Sequence, residues 1–157
     1  MFNIKTAVIG VGQMGRHHAR VYSEISNLIA VSDPDEIQGK KIAENLDVAW
    51  YPKIEDLYGK VDAVSIAVPT QYHKEVIELV SSAGLNFIVE KPLAGSYESS
   101  QYIHNLVKDL DLISSVGHIE RHNQVVRFAK ERIVSKEWGN IKSISARRFS
   151  SFPARIN

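Results

Sequence analysis

The 157-residue chain contains no cysteine, which excludes disulfide bonds, thiolate metal sites and a cysteine nucleophile. It also lacks a long apolar run, because the stretch at residues 7–11 is too short for a spanning helix and no signal-peptide cleavage site follows it. A net charge of +1, with acids and bases interspersed, predicts neither a nucleic-acid nor a membrane partner. We therefore expect a cytoplasmic protein with a small-molecule partner. No histidine spacing suggests a metal site.

Short β-branched runs alternate along the chain with longer amphipathic segments, which is typical of parallel strands joined by crossover helices. Strands are predicted at 5–10, 27–33, 62–68, 86–90 and 111–117, with a further short one at 48–51. Helices are predicted at 14–25, 35–46, 54–57, 72–83 and 97–110. Strands that are apolar on both faces belong inside a sheet covered by helices. The predicted fold class is therefore α/β, a doubly wound Rossmann-type parallel sheet.

The first predicted strand ends in GVGQMG, where Gly10, Gly12 and Gly15 have the G-x-G-x-x-G spacing. The motif leads directly from an apolar strand into a helix, which is the context of a dinucleotide-binding loop. There a helix N-terminus receives the phosphates, and Gln13 and Met14 would also contact the cofactor. The alternative is a glycine-rich turn without a ligand.

Asp33 ends the second predicted strand, where an acidic residue accepts hydrogen bonds from the adenosine ribose hydroxyls. A carboxylate there repels a 2′-phosphate, so NAD is favoured over NADP. NADP stays open as an alternative, since Arg16, Lys40 or Lys41 could turn toward a phosphate. The other interpretation of these three cations is solvated helix surface.

Three polar loops follow the third, fourth and fifth main strands: PTQYH (69–73), EKP (90–92) and GHIERHN (117–123). In doubly wound sheets the ligand lies beyond the carboxyl ends of the strands, so these loops are candidates for the site. The candidate residues are Pro69, Thr70 and His73 for the cofactor, Glu90 and Lys91 at the centre, and His118 and His122 for the substrate. By contrast, His17 and His18 are interpreted as phosphate-adjacent or surface residues, and His104 has no predicted role.

The chain resembles the Gfo/Idh/MocA oxidoreductases, the family of glucose-fructose oxidoreductase and inositol dehydrogenase. The resemblance is carried by AVIGVGQMGRHHARVY, VSDPD, AVPTQYH, VEKPLA and VGHIERHN, of which the Glu-Lys-Pro triplet is the most specific. It implies an NAD(P)-dependent oxidoreductase that acts on a sugar, cyclitol or nucleotide-sugar hydroxyl. Lys91 is then the catalytic residue that orients the substrate hydroxyl, and Glu90 contacts the nicotinamide side. The alternative is a lysine that only extends to water from a strand end.

Family members also carry a second domain that completes the substrate pocket with a further catalytic histidine. We expect residues 1–120 to form the NAD(P)-binding domain and residues 121–157 a connecting helix and the start of a truncated substrate domain. The segment 140–149 would be its first strand, paired with another copy in a homo-oligomer, packed on its own domain, or poorly ordered. Such a chain would bind cofactor without turnover, so its status as an enzyme stays open. The alternative function is a noncatalytic nucleotide-binding module or an inactive fragment.

Overall fold

The computed structural model describes residues 3–147 and 149, so the last part of the segment 121–157, expected to begin a substrate domain, lies outside the described residues. The strands are β1 (Lys5–Ile9), β2 (Asn27–Ser32), β3 (Ala49–Tyr51), β4 (Ala63–Ile66), β5 (Asn86–Val89) and β6 (Ser114–Val116). The α-helices are α1 (Gly15–Ile25), α2 (Glu36–Leu46), α3 (His73–Ser82), α4 (Tyr97–Val107) and α5 (Gln124–Val134). Short 3₁₀ helices occupy Ile54–Leu57, Thr70–Tyr72 and Ile119–His122.

The strands form one parallel six-stranded sheet in the order β3-β2-β1-β4-β5-β6. The order reverses between β1 and β4, and this reversal is the switch point at which such sheets bind ligands. The α/β prediction and its doubly wound parallel sheet are confirmed. The loops after β1, β4 and β5 therefore lie at the same edge, next to the switch point.

Alternating side chains of β1 belong to two separate apolar clusters. Ala7 and Ile9 belong to the larger cluster, which includes Ile77 of α3 and Ile103 of α4. Val8 belongs to the smaller cluster, which includes one alanine each from α1 and α2. Successive strand residues point to opposite faces, so this division shows that helices cover the sheet on both sides.

Two side-chain caps fix where helices begin near the sheet. Asp35 caps α2 by accepting a hydrogen bond from the Gln38 amide at 3.0 Å, and Ser96 caps α4 by accepting from the Ser99 amide at 3.1 Å. Such caps satisfy backbone donors that have no partner within the helix. The helix α4 ends at Val107, earlier than the predicted residue 110.

Two sequence-based expectations near the end of the chain differ from the structure. The strand expected at 111–117 is confined to Ser114–Val116, where it pairs with β5. The strand expected at 140–149 is not formed in the described residues 140–147 and 149. A strand requires a neighbour with which to exchange hydrogen bonds, and none of the described strands pairs with this segment.

The chain divides into two compact units between His118 and Ile119. The first contains the whole sheet. In the second, Asn123 caps α5 by accepting from the Val125 amide at 3.0 Å, and the rings of Phe128 and Trp138 meet edge to face at 6.3 Å. The assignment of the two units to cofactor and substrate remains a prediction. None of the described helices is long and apolar enough to cross a membrane.

Candidate functional site

Two glycines of the loop after β1 are required by the fold itself. Gly10 has a φ of +79°, and a Cβ there would lie 2.8 Å from the Cγ1 of Val68. A Cβ at Gly15 would lie 1.7 Å from the carbonyl oxygen of Gly10. Any larger residue at either position would force the loop or the start of α1 to move.

At Gly12, by contrast, the fold does not require a glycine. The nearest atom to a Cβ built there is the Nε2 of Gln38 at 3.9 Å, and its backbone lies outside the left-handed region. A pyrophosphate lying against the backbone would, however, need this space. The helix α1 begins at Gly15, and no side chain caps it at Met14. The amides of Arg16 and His17 donate to the carbonyls of Gly12 and Met14, so the amides that precede Arg16 are the ones that could bind phosphates. The loop therefore fits the pyrophosphate of a dinucleotide, and Gln13 and Met14 are exposed within it.

Asp33 lies directly after β2 and is buried, with 7% of its surface exposed. Its Oδ2 accepts a hydrogen bond from the Val11 amide at 2.8 Å, and its Oδ1 accepts from the Asp35 amide at 2.9 Å. These two donors fix the carboxylate beside the glycine loop. The Nε2 of Gln38 also donates to Oδ2, at 3.5 Å. Oδ1 retains a lone pair with which the group can accept from a ribose hydroxyl.

Both acidic and basic side chains follow Asp33 along the chain. Lys40, one of the cations that could have served NADP, forms an ion pair with Glu36 at 2.6 Å. Its ammonium also lies 5.3 Å from the centre of the Trp50 ring. The carboxylates of Asp35 and Glu36 lie in the same segment as Asp33. Arg16 and Lys41, the other two candidate cations, are exposed, and the preference for NAD over NADP remains a prediction.

The candidate residues of the loop after β4 differ in their exposure to solvent. Pro69 is exposed and precedes the 3₁₀ helix that Thr70 begins. His73 is only 1% exposed, and its Nε2 lies 3.0 Å from the carbonyl oxygen of Val68. Its Nδ1 lies 3.0 Å from the carbonyl oxygen of Pro92. Because both ring nitrogens contact backbone carbonyls, His73 connects two loops and offers no free nitrogen to a cofactor.

The Glu-Lys-Pro segment follows β5. The Oε2 of Glu90 accepts a hydrogen bond from the Lys91 amide at 3.1 Å, and its Oε1 lies 3.1 Å from the Nε2 of His18. The peptide between Lys91 and Pro92 is cis. The Lys91 side chain is exposed, and its ammonium has no partner among the described residues. The role of Lys91 in a site remains a prediction.

His18 has a role that the sequence did not reveal. Its Nδ1 lies 2.7 Å from the Oγ of Ser65, a fully buried residue of β4, so the ring connects α1, β4 and the end of β5. Burial raises the pKa of Tyr22, one turn along α1, and a hydrogen bond with Ser65 opposes part of that rise. The available signal was helical periodicity, because His18 and Tyr22 lie four residues apart, on the side of α1 that carries the buried Ala19.

The two substrate candidates lie in different units. His118 follows β6 in the first unit, its side chain is exposed, and its amide donates to the Val116 carbonyl at 2.7 Å. His122 ends a 3₁₀ helix of the second unit. Their roles remain predictions.

The sheet order, the glycine loop and the carboxylate after β2 define the class of the first unit: a dinucleotide-binding Rossmann domain. Residues 4–118 match the family model described as "Oxidoreductase family, NAD-binding Rossmann fold". The chain belongs to this family, the Gfo/Idh/MocA oxidoreductases, as its resemblance had indicated.

Known proteins similar to the chain include dehydrogenases of sugars and cyclitols. The UDP-N-acetylglucosamine 3-dehydrogenase of Acidithiobacillus ferrooxidans is 31% identical over 155 residues, which are 99% of this chain and 48% of that protein. The scyllo-inositol 2-dehydrogenase (NAD(+)) of Bacillus subtilis is 32% identical over 144 residues, which are 87% of this chain and 42% of that protein. The chain thus spans less than half the length of these relatives.

A solved structure gives the same result for the fold. The UDP-N-acetylglucosamine 3-dehydrogenase of Acidithiobacillus ferrooxidans superposes with a TM-score of 0.80 at 33% identity, covering 83% of this chain and 44% of that chain. The match extends across most of the present chain, and it leaves more than half of the other chain without a counterpart.

Proposed function

We propose that the chain is the cofactor-binding part of an NAD-dependent oxidoreductase that acts on a hydroxyl of a sugar, cyclitol or nucleotide sugar. The proposal depends on one observation at Gly12. The fold has room for a side chain at this position, whereas a pyrophosphate bound to the loop requires a glycine there. The substrate class comes from the named activities of the relatives.

The residues that would hold the dinucleotide lie on three loops. Backbone N–H groups at the start of α1, with Gly12, would bind the pyrophosphate. Asp33 would accept from the adenosine ribose, and its acidic surroundings favour NAD over NADP. The remaining cofactor contacts are assigned to Gln13, Met14, Pro69, Thr70 and the Glu90-Lys91 peptide.

When bound, NAD supplies the hydride acceptor for oxidation of an alcohol carbon. Lys91 would donate a hydrogen bond to the substrate oxygen, orient the hydroxyl and assist the movement of its proton. Its exposure and its lack of a partner among the described residues support this role, since nothing competes for the ammonium. His118 and His122 are the further candidates for substrate contact.

A second candidate is nucleotide binding without turnover. It is favoured by the same isolation of Lys91, because no acid–base partner orients the ammonium within the described residues. A single side chain cannot hold a substrate hydroxyl in the fixed position on which such reactions depend.

Titration with NADH and NADPH, followed by nicotinamide fluorescence and calorimetry, tests the binding role. We expect enhanced, blue-shifted NADH emission and tighter binding of NADH than of NADPH. Incubation with NAD and a panel of sugars, inositols and UDP-sugars then separates the two candidates. Steady NADH formation that disappears in Lys91→Ala supports catalysis, whereas binding without turnover supports the second candidate. Absence of NADH binding would refute both.

A further inference from the structure

The Glu90-Lys91-Pro92 segment is held on both sides of its lysine by a histidine. His18 contacts the side chain of the preceding residue, and His73 contacts the carbonyl of the following one. We propose that these two histidines, here called the histidine clamp, are positioning residues that fix the backbone of Lys91 and so direct its ammonium to the substrate. The inference rests on the proposed function, because it assigns the clamp to the orientation of Lys91.

The first half of the clamp is a set of hydrogen bonds that runs from Ser65 through His18 to Glu90. With the ring proton on Nε2, His18 donates to the Oε1 of Glu90 at 3.1 Å and accepts from the Ser65 hydroxyl at 2.7 Å. The other carboxylate oxygen accepts from the Lys91 amide. The side chains of His18 and Glu90 are 21% and 12% exposed, so water competes little for these bonds.

Ser65 makes this half rigid, because it lies inside the sheet and has no exposed surface. A ring that is anchored on a central strand cannot rotate away from Glu90 without breaking a buried hydrogen bond, which carries a desolvation cost. The Glu90 carboxylate is therefore fixed at both oxygens, and through its own amide contact it fixes the peptide that leads into Lys91.

The second half of the clamp acts on the opposite side of Lys91. His73 is buried at the start of α3, where its Nδ1 contacts the carbonyl oxygen of Pro92 at 3.0 Å and that of Leu93 at 3.3 Å. Its Nε2 lies 3.0 Å from the carbonyl oxygen of Val68. A neutral imidazole has a single N–H, so one side is a hydrogen bond and the other is a contact of the buried ring, which packs between the turn after Lys91 and the end of β4. The main chain on each side of Lys91 is thus connected to the central strand β4 or the residues that follow it.

The contacts of the clamp hold the main chain on both sides of Lys91, whereas they leave the Lys91 side chain without a contact. Catalytic groups must be held to within about 0.5 Å of the productive geometry by neighbours whose own positions are locked. A displacement of about 1 Å can lower the rate of such a reaction on the order of 100-fold. One half-buried and one buried histidine, on either side of an exposed lysine, meet this requirement without contacting the substrate.

The test uses the full chain labelled with ¹⁵N and five variants. His18→Leu and His73→Leu remove each half of the clamp, and His18→Gln and His73→Gln keep an amide donor at each position. His104→Gln is the matched control, since His104 is an exposed histidine on α4. Amide hydrogen exchange at Lys91 reports the backbone, and dissociation constants for NADH and ADP-ribose report the site. If a leucine variant fails to fold, the glutamine variant at the same position decides.

In His18→Leu and His73→Leu we expect the Lys91 amide to exchange about fivefold faster, while Val8 in the sheet is unchanged. The Glu90-Lys91 peptide, which Lys91→Ala keeps, is assigned to the cofactor, so loosening this peptide should raise the dissociation constant for NADH about tenfold. The constant for ADP-ribose, which lacks the nicotinamide, should change by less than about twofold. The glutamine variants should recover part of each effect, a recovery that a purely structural role would not give.

The clamp would be overturned if both His18→Leu and His73→Leu behaved like His104→Gln. Their Lys91 amide exchange rate, and their ratio of the dissociation constants for NADH and ADP-ribose, would then equal those of the control. Loss of NADH and ADP-ribose affinity in equal measure would also overturn it, because the histidines would then serve the fold as a whole. If the unaltered chain binds no NADH, the proposed function fails by itself. Amide hydrogen exchange at Lys91, compared between the variants and the unaltered chain without ligand, still decides whether the clamp fixes the Lys91 backbone.

Discussion

Replacing Gly12 with alanine tests whether the glycine is required for dinucleotide binding or for the stability of the fold. The new methyl group would have only the Gln38 side chain near it, at 3.9 Å, and the backbone conformation suits an L-residue. A glycine-to-alanine change at such a position stabilises a protein by about 0.4–1 kcal/mol, because the unfolded chain has fewer conformations. With about 2–4 °C per kcal/mol for a domain of this size, the melting temperature should rise by about 1–4 °C.

The same methyl group should nevertheless prevent dinucleotide binding. It would occupy the space in which a pyrophosphate approaches the backbone, so that hydrogen bonds from the loop amides to the phosphates are lost or lengthened. A hydrogen bond to a charged group contributes about 1.5–3 kcal/mol. Loss of one such bond corresponds to NADH binding that is about 10- to 100-fold weaker. Gly12→Val, with a larger side chain, should abolish it.

Thermal unfolding and NADH titration of the same samples check both effects, with two control variants. Gly15→Ala should unfold at a lower temperature or fail to fold, since its Cβ would lie 1.7 Å from the Gly10 carbonyl oxygen. Gly95→Ala, which has no atom within 4 Å of its Cβ, should raise the melting temperature by a similar amount and leave NADH binding unchanged. A folded Gly12→Ala protein that binds NADH as tightly as the unaltered chain would show that the pyrophosphate does not lie on this loop.

Three further predictions follow from the site. Asp33→Ser should narrow or invert the preference for NADH over NADPH in calorimetric titrations, and tighter NADPH binding by the unaltered chain would contradict the role of Asp33. Lys91→Ala should leave NADH affinity within a few fold, and a loss as large as that of Gly12→Val would place Lys91 among the cofactor ligands. Burial raises the pKa of Tyr22, so the folded state keeps this proton after the unfolded state loses it, and stability should fall as the pH rises above about 10. Tyr22→Phe should make that fall of the melting temperature less steep, and an identical slope would contradict the assignment.

The architecture could be predicted because its signals are local. Each strand is a short apolar run, and β1 shows this directly, with one exposed residue followed by four buried ones. The glycine spacing identifies the first strand-to-helix junction, and Asp33 then marks the end of the second strand. Within the first unit the errors fell at the ends of elements, and the strand expected at 140–149 is not formed in the described residues. Helix α4 stops at Val107, before the acidic Asp109 and Asp111, which are unfavourable at the negative end of a helix.

The contacts of the site could not be predicted, because they join residues far apart in the sequence. His18 lies 72 positions before Glu90 and 47 before Ser65, and His73 lies 19 positions before Pro92. A sequence motif indicates that a histidine is present in a helix or loop, but not which carbonyl or carboxylate its ring reaches. His73 was accordingly interpreted as a cofactor ligand, whereas its ring is buried between two backbone carbonyls.

The central claim is that the loop at residues 10–15 and Asp33 bind NAD, and mapping NADH on the amide NMR spectrum of the chain tests it most directly. We predict the largest shifts at the amides of residues 11–15, at Asp33 and in the loops beginning at Pro69 and Glu90, with little change in α5. An NADH titration that leaves the amides of residues 11–15 and Asp33 unshifted would contradict the account.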